Sequence, residues 1–337
     1  PTDLADVNGN TYTYLANGRR ADDDWTGLFA PGERVRLRFV NGAAMTFFDV
    51  RIPGLKLTVV AADGQDIRPV DVDEFRIAPA ETFDVIVQPK RDQAYVVFAQ
   101  AMDRSGHARI TLAPRMGMRA PSPALDQRAL LTMDDMGHGS HAMAPGEMAC
   151  GANMDHSTMS MPMPAPMQAH PASETGNPFV EMSPAPRLDD PGIGLRDNGR
   201  RVLRYADLRS LHAPEDDREP SREIELHLTG HMERFAWGFD GIKFSDAEPV
   251  RLKYGERVRF TLVNDTMMEH PVHLHGMWSD LEDADGKFLV RKHTISIPPG
   301  TKRSFRVTAD ALGRWAFHCH MLMHMEAGMM REVRVEE

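Results

Sequence analysis

Three imidazoles, one thiol and one thioether fall close together near the end of the chain: His318, Cys319, His320, His324 and Met329. A cysteine followed five residues on by a histidine and ten on by a methionine has the spacing of a blue-copper loop. In such a loop Cys and His lie in a trigonal plane and Met is a weak axial ligand. In a strand, alternation sends His318 and His320 to the face opposite Cys319. One strand would then serve two metal centres back to back. A second cluster, His270-Pro271-Val272-His273-Leu274-His275-Gly276, answers the first. His270 can supply the second imidazole of the blue site. His273 and His275 share a face and can join His318 and His320.

These stretches, HPxHLHG and HCHxxxHxxxxM, resemble the last domain of the multicopper oxidases, with no departure at any ligand position. The resemblance implies a type 1 copper at His270, Cys319, His324 and Met329. It implies that substrate electrons enter at His324 and leave along Cys319 to His318 and His320. It also implies a type 2/type 3 trinuclear copper site that reduces dioxygen to water, half of it being His273, His275, His318 and His320. A complete cluster of that kind needs eight histidines, four of them from two His-x-His motifs in a first domain. The chain has only the two pairs already named. It therefore looks like the second and third cupredoxin domains of such an oxidase. Dioxygen reduction is expected to need an N-terminal cupredoxin domain as partner.

The elements that must position these residues are strands. Val35-Arg36-Leu37-Arg38-Phe39 alternates apolar with charged, as a half-buried strand does. Leu57–Ala61, Thr82–Val87 and Tyr95–Ala99 are similar runs, and Asn-Gly, Pro-Gly and Asp-Gly pairs punctuate them as turns. The pattern repeats: Gly32–Asn41 matches Gly255–Asn264, Ala62-Asp63-Gly64 matches Ala284-Asp285-Gly286, and Ile77-Ala78-Pro79 matches Ile297-Pro298-Pro299. Counting from the shared asparagine puts His270 on Phe47, His273 on Val50 and His275 on Ile52. His318, Cys319 and His320 fall on Phe98, Ala99 and Gln100. One copy is thus expected to keep the scaffold without the metal. The fold class is all-β: two cupredoxin-like, Greek-key β-sandwiches at 1–115 and 173–337, joined by a Met/His-rich linker at 116–172. Within the second, Ile224–Leu228 alternates as a strand, so His227 and His231 are not read as a helical metal pair. His231–Gly241 reads as a hairpin. His107, His212 and His293 stand alone.

The linker has its own chemistry. Residues 131–170 hold nine of the chain's 23 methionines, interleaved with histidines and set among Pro, Gly and Asp that do not build a core. Thioethers select Cu(I). Met133, Met136, His138, His141, Met154, His156, Met159, Met161 and Met163 are candidates for Cu(I) capture; the bland alternative is a disordered linker of biased composition. Met321, Met323, Met325 and Met330 crowd His324, and Met267 and Met268 precede His270. As a set these resemble the periplasmic copper-resistance oxidases, CopA/PcoA-like. So do the stretches Asn41–Gly54 and Val72–Ile77. That resemblance implies a periplasmic enzyme that oxidises Cu(I), with phenols or amines as secondary donors. A copper-sequestering protein with an auxiliary blue site is the alternative. A two-domain nitrite reductase fits less well, because a histidine flanks the ligand cysteine on each side.

Composition narrows the rest. The net charge of -10 argues against a nucleic-acid partner. No apolar run is long enough to span a membrane. Only Cys150 and Cys319 are present, and a copper-bound Cys319 leaves Cys150 without a disulfide partner. A chain starting at Pro1 reads as a mature product or a fragment.

Overall fold

The computed structural model describes residues 4–132, 135, 167–174, 177–178 and 180–337. Its first half holds β1 (Trp25–Leu28), β2 (Val35–Val40), β3 (Phe48–Arg51), β4 (Leu57–Ala62), β5 (Gln65–Val72), β6 (Glu74–Ile77), β7 (Thr82–Val87), β8 (Tyr95–Ala101) and β9 (His107–Ala113). These make two sheets, ordered β1-β9-β8-β3-β6 and β2-β7-β4-β5. The second half holds β10 (Arg222–His231), β11 (Ala236–Phe239), β12 (Val250–Lys253), β13 (Arg257–Asn264), β14 (His270–Leu274), β15 (Ser279–Glu282), β16 (Phe288–Lys292), β17 (Thr294–Ile297), β18 (Lys302–Thr308), β19 (Gly313–Cys319) and β20 (Met330–Glu336), with a single-turn helix α1 (Leu322–Glu326). Its sheets are ordered β12-β20-β19-β14-β17 and β11-β10-β13-β18-β15-β16. Strand for strand, the second half repeats the first and adds the β10–β11 hairpin at one edge. In both, the first strand runs parallel to the last: β1 on β9, β12 on β20. This is the cupredoxin-like sandwich that the sequence led us to expect, formed twice.

Alternation explains the layers. In β7 and β18 every second residue is buried, so each strand gives one face to its core. The second core centres on Phe239, Phe260, Phe305 and Phe317. The Phe239 and Phe317 rings are 5.7 Å apart, and Phe260 lies 5.4 Å from Phe317. Fully burying such a ring stabilises by about 2–3 kcal/mol. Phe317 sits two residues before Cys319 and shares its face, so this cluster fixes the strand that carries the cysteine.

An asparagine clamp recurs in both halves. Asn41 Nδ2 donates to Thr46 O and Ile77 O, and Asn264 Nδ2 donates to Met268 O and Ile297 O. The clamped turn is one residue longer in the first copy. That corrects the alignment read from the shared asparagine. Phe48 pairs with Ile77 as His270 pairs with Ile297, and Arg51 pairs with Phe98 as His273 pairs with His318. His270 therefore falls on Phe48 rather than Phe47, and His273 on Arg51 rather than Val50. By the same shift His275 falls on Pro53 rather than Ile52. The positions of His318, Cys319 and His320 stand. In the first copy an ionic network takes the place of histidines. Buried Arg51 reaches Glu74 and Asp126, Gln100 donates to Asp126, and Arg200 bonds Glu74 and Asp126.

Two other segments lie on this first sandwich. Asp126 approaches from beyond β9. Residues 187–211 run back along it through bridges at Glu74–Val202 and Ile67–Ser210. The halves also meet directly: Lys292 Nζ of β16 is 2.9 Å from Asp63 Oδ2 in the β4–β5 turn and 3.2 Å from Glu81, all three buried. Among the described residues, no helix is long and apolar enough to cross a membrane.

Candidate metal centre

β14 and β19 are neighbours, with Val272 opposite Cys319 and His273 opposite His318. Pleating then divides their side chains. His270 lies on the same face as Val272 and Cys319; His273 and His318 lie on the other. After Cys319 the chain turns into α1, which raises His324 over the cysteine. It then passes Gly328 and returns as β20. Gly328 has φ of 124°, and a Cβ there would lie 2.6 Å from Trp237 O. Only glycine fits between His324 and Met329. Met329 is fully buried, and its carbonyl accepts from Cys319 N at 3.1 Å.

Three donor atoms converge in the interior. Cys319 Sγ is 3.6 Å from His270 Nδ1, and His270 Nδ1 is 3.2 Å from His324 Nδ1. All three residues are fully buried. The other nitrogen of each ring is engaged. Thr266 Oγ1 gives its proton to a carbonyl oxygen, that of the Asn264 side chain or of Met268, and so accepts from His270 Nε2 at 2.7 Å. His324 Nε2 donates to Asp6 Oδ2 at 2.7 Å. Both Nδ1 atoms then present lone pairs toward each other with no proton between them. Such partners fix tautomer and orientation in metal-bound histidines. Burial pushes His270 well below the ordinary histidine range, and neighbouring His324 adds to that. Burial also lowers His324, against the pull of Asp6. Both rings are neutral near pH 7. Burial raises the Cys319 thiol far above its ordinary value, so a thiolate here needs a cation beside it. Two facing lone pairs and an isolated thiol are a donor set that fits copper. Trp237 stacks on His324 at 3.8 Å between centroids and 22° between planes, covering the ring.

The opposite face carries the second histidine set. Ring centroids of His273 and His275 are 4.5 Å apart, His275 and His318 5.2 Å, and His318 and His320 5.4 Å. His273 Nδ1 donates to His293 O at 2.6 Å, and His318 Nδ1 donates to Cys319 O at 2.9 Å. His275 and His318 turn their Nε2 atoms toward each other at 3.1 Å. His320 Nδ1 is buried with no hydrogen-bond partner among the described residues. Burial lowers all four, His273 to about 4, so they are neutral imidazoles. Their rings spread around an open face, with His275 exposed, rather than closing on one small ion.

The predicted residues His270, His273, His275, His318, Cys319, His320 and His324 thus come together as two groups on opposite sides of one strand pair, and Met329 is buried just before β20. The capture candidates Met133, Met136, His138, His141, Met154, His156, Met159, Met161 and Met163 lie outside the described residues. Asp6, Thr266 and Trp237 were not legible as site residues. His293, expected to stand alone, is instead 5.4 Å from His273 and anchors it through its carbonyl. Of Asp6, Thr266 and Trp237, only Thr266 is close in sequence to a predicted residue, four positions before His270 in the clamped turn.

Two multicopper oxidase family models match, over residues 2–114 and 217–337. The chain belongs to the multicopper oxidase family, whose cofactor is copper. Within it, the chain is 64% identical over its whole length to copper resistance protein A of Escherichia coli. It is 62% identical to copper resistance protein A of Pseudomonas syringae pv. tomato. The chain spans about three fifths of the length of these relatives, 61% and 62%. Among solved structures, the laccase from Botrytis aclada aligns with a TM-score of 0.60 at 17% identity, over 92% of this chain and 53% of that one. A multicopper oxidase from Campylobacter jejuni, described as a metallo-oxidase, aligns at 0.54 with 16% identity, over 90% and 53%. At these identities the likeness speaks for the fold.

Proposed function

We propose that this chain is the electron-accepting part of a periplasmic copper-resistance oxidase whose substrates are Cu(I) and dioxygen. In this reading residues 1–115 are scaffold and 116–172 gather Cu(I) through their methionines and histidines. Residues 173–337 carry the chemistry. His270, Cys319, His324 and Met329 are the type 1 ligands. His273, His275, His318 and His320 are half of a trinuclear site, completed by two His-x-His pairs from polypeptide beyond these residues. Copper bound at the two sites supplies one-electron transfer at the first and dioxygen reduction at the second.

The chain's own residues set the path. Asp6 holds the Nε2 proton of His324 and places a carboxylate where a cationic donor would arrive. Trp237 keeps water off the ring. Cys319 joins the two faces by covalent bonds to His318 and His320 and by the hydrogen bond from His318 Nδ1 to its carbonyl. That junction is the observation that carries the reading. The buried thiol group and the open imidazole face are adjacent residues of one strand. The test is the copper-loaded Cys319→Ser chain. It is expected to lose the intense absorption at about 600 nm, which needs a thiolate on copper. A band of unchanged intensity would refute the ligand assignment.

A further inference from the structure

We propose that His170, Glu174, His227 and Asp265 form an additional binding site for a divalent transition-metal cation, Zn(II) or Cu(II). The site is distinct from both groups around Cys319, and it does not depend on how those are assigned. One donor atom from each of the four residues lies within 4.8 Å of every other. His227 comes from β10 and Asp265 follows β13. His170 and Glu174 come from the segment that enters the second sandwich.

The separations suit a small ion. His227 Nδ1 is 2.6 Å from Asp265 Oδ2 and 3.2 Å from Glu174 Oε1. His170 Nδ1 is 3.1 Å from Glu174 Oε2 and 3.5 Å from Asp265 Oδ2. A tetrahedral zinc with ordinary bond lengths separates its ligand atoms by about 3.4 Å. Widening the His227–Asp265 pair by about 0.8 Å, and drawing the wider-spaced donors in, would seat the ion.

Three of the four donors are already aimed by a partner at their far side. His170 Nε2 donates to Glu181 O at 3.1 Å, and His227 Nε2 faces Glu225 Oε1 at 3.3 Å. Asp265 Oδ1 accepts from Glu181 N at 2.7 Å. Both Nδ1 atoms and Asp265 Oδ2 are thereby turned inward, an arrangement that outer partners impose on metal ligands. Glu174 supplies the independent sign. Its side chain is 4% exposed, yet its Oε1 points into the cluster and accepts no hydrogen bond among the described residues. Two carboxylates and two imidazoles balance a 2+ charge. With no sulfur in the set, Zn(II) or Cu(II) is favoured over Cu(I). His170 is partly exposed, which leaves the ion a way in.

Occupancy would tie the segment around residue 170 to the core of the second sandwich. The alternative use of these residues is an ion-pair network that holds no metal. Equilibrium dialysis of the metal-stripped full chain against Zn(II) distinguishes the two. The His170→Gln chain is expected to retain one equivalent less than the parent, while the Cys319→Ser chain keeps that equivalent. Glu174→Gln, nearly the same shape, is the second variant should His170→Gln not fold. Equal Zn(II) content in the parent and either folded variant would overturn the proposal.

Discussion

Replacing Lys292 with methionine should weaken the join between the two sandwiches more than most single changes could. The ammonium lies 2.9 Å from Asp63 and 3.2 Å from Glu81, with no exposed surface on the lysine. The contacts are ionic rather than well-angled hydrogen bonds. At an effective dielectric of about 20, each attraction is worth roughly 5 kcal/mol, offset by several kcal/mol for taking the ammonium out of water. Methionine fills similar volume but leaves two buried carboxylates facing each other. Removing one partner from such a group costs about 3–5 kcal/mol. The lower end is expected, because other donors remain. Asp63 still accepts from Thr82 N, His293 N and Thr294 N, and Glu81 from Ala78 N and the Tyr205 hydroxyl. Guanidinium unfolding at pH 7 measures the loss and also shows whether the two halves now unfold in separate steps. Burial disfavours the Lys292 charge, but Asp63 and Glu81 outweigh it and raise the group above its ordinary value of 10.5. The lysine's contribution is therefore fully present below pH 10.5 and fades as pH climbs through the higher folded value. The gap between parent and variant should close only in that alkaline window. A Lys292→Met chain within about 0.5 kcal/mol of the parent, the scatter of an ordinary surface change, would refute the reasoning.

Asp6→Ala removes the acceptor of the His324 Nε2 proton. In the complete copper-loaded oxidase it should keep the band that depends on Cys319 but lower Cu(I) oxidation roughly 10–100-fold, as loss of a ligand's outer partner does; an unchanged rate would remove Asp6 from the entry path. Asp49 is buried, which opposes its charge, but Arg76 and Arg104 outweigh burial and hold it below 3.8. Its contribution is complete above pH 3.8 and is lost as pH falls through the folded value. Asp49→Asn should therefore be less stable at pH 7 by about 3 kcal/mol or more and show a flatter acid limb in melting temperature against pH. An acid limb identical to the parent's would count against the pairing.

Much of the site could be read in the sequence because it is local. The candidate ligands His270, His273, His318 and Cys319 lie on adjacent strands, with His275 and His320 just beyond their ends, and strand alternation alone assigns these six to two faces. The duplication was legible because the Gly–Glu–Arg–Val–Arg run recurs. The one-residue difference inside the clamped turns was not, since nothing in Gly42–Thr46 marks the extra residue until the strand pairing is seen. Contacts made by loops crossing from elsewhere left no periodic signal. Asp6 reaches His324 across 318 positions. The stretch 187–211 has turn composition yet lies along the first sandwich, held by pairs such as Arg200 with Glu74. His227 was correctly placed in a strand, but alternation says nothing of which distant ring will meet it.

The ionic network of the first sandwich bears on any attempt to engineer a second metal centre there. Grafting histidines onto Arg51, Phe98 and Gln100 would delete one cation and an amide while leaving Glu74 and Asp126 in place. Asp126 and Arg200 come from outside the sheet, so transplanting the strand residues alone would strand their charges. A working graft would have to redesign those two approaching segments as well, which makes the vacant copy far harder to convert than its shared topology suggests.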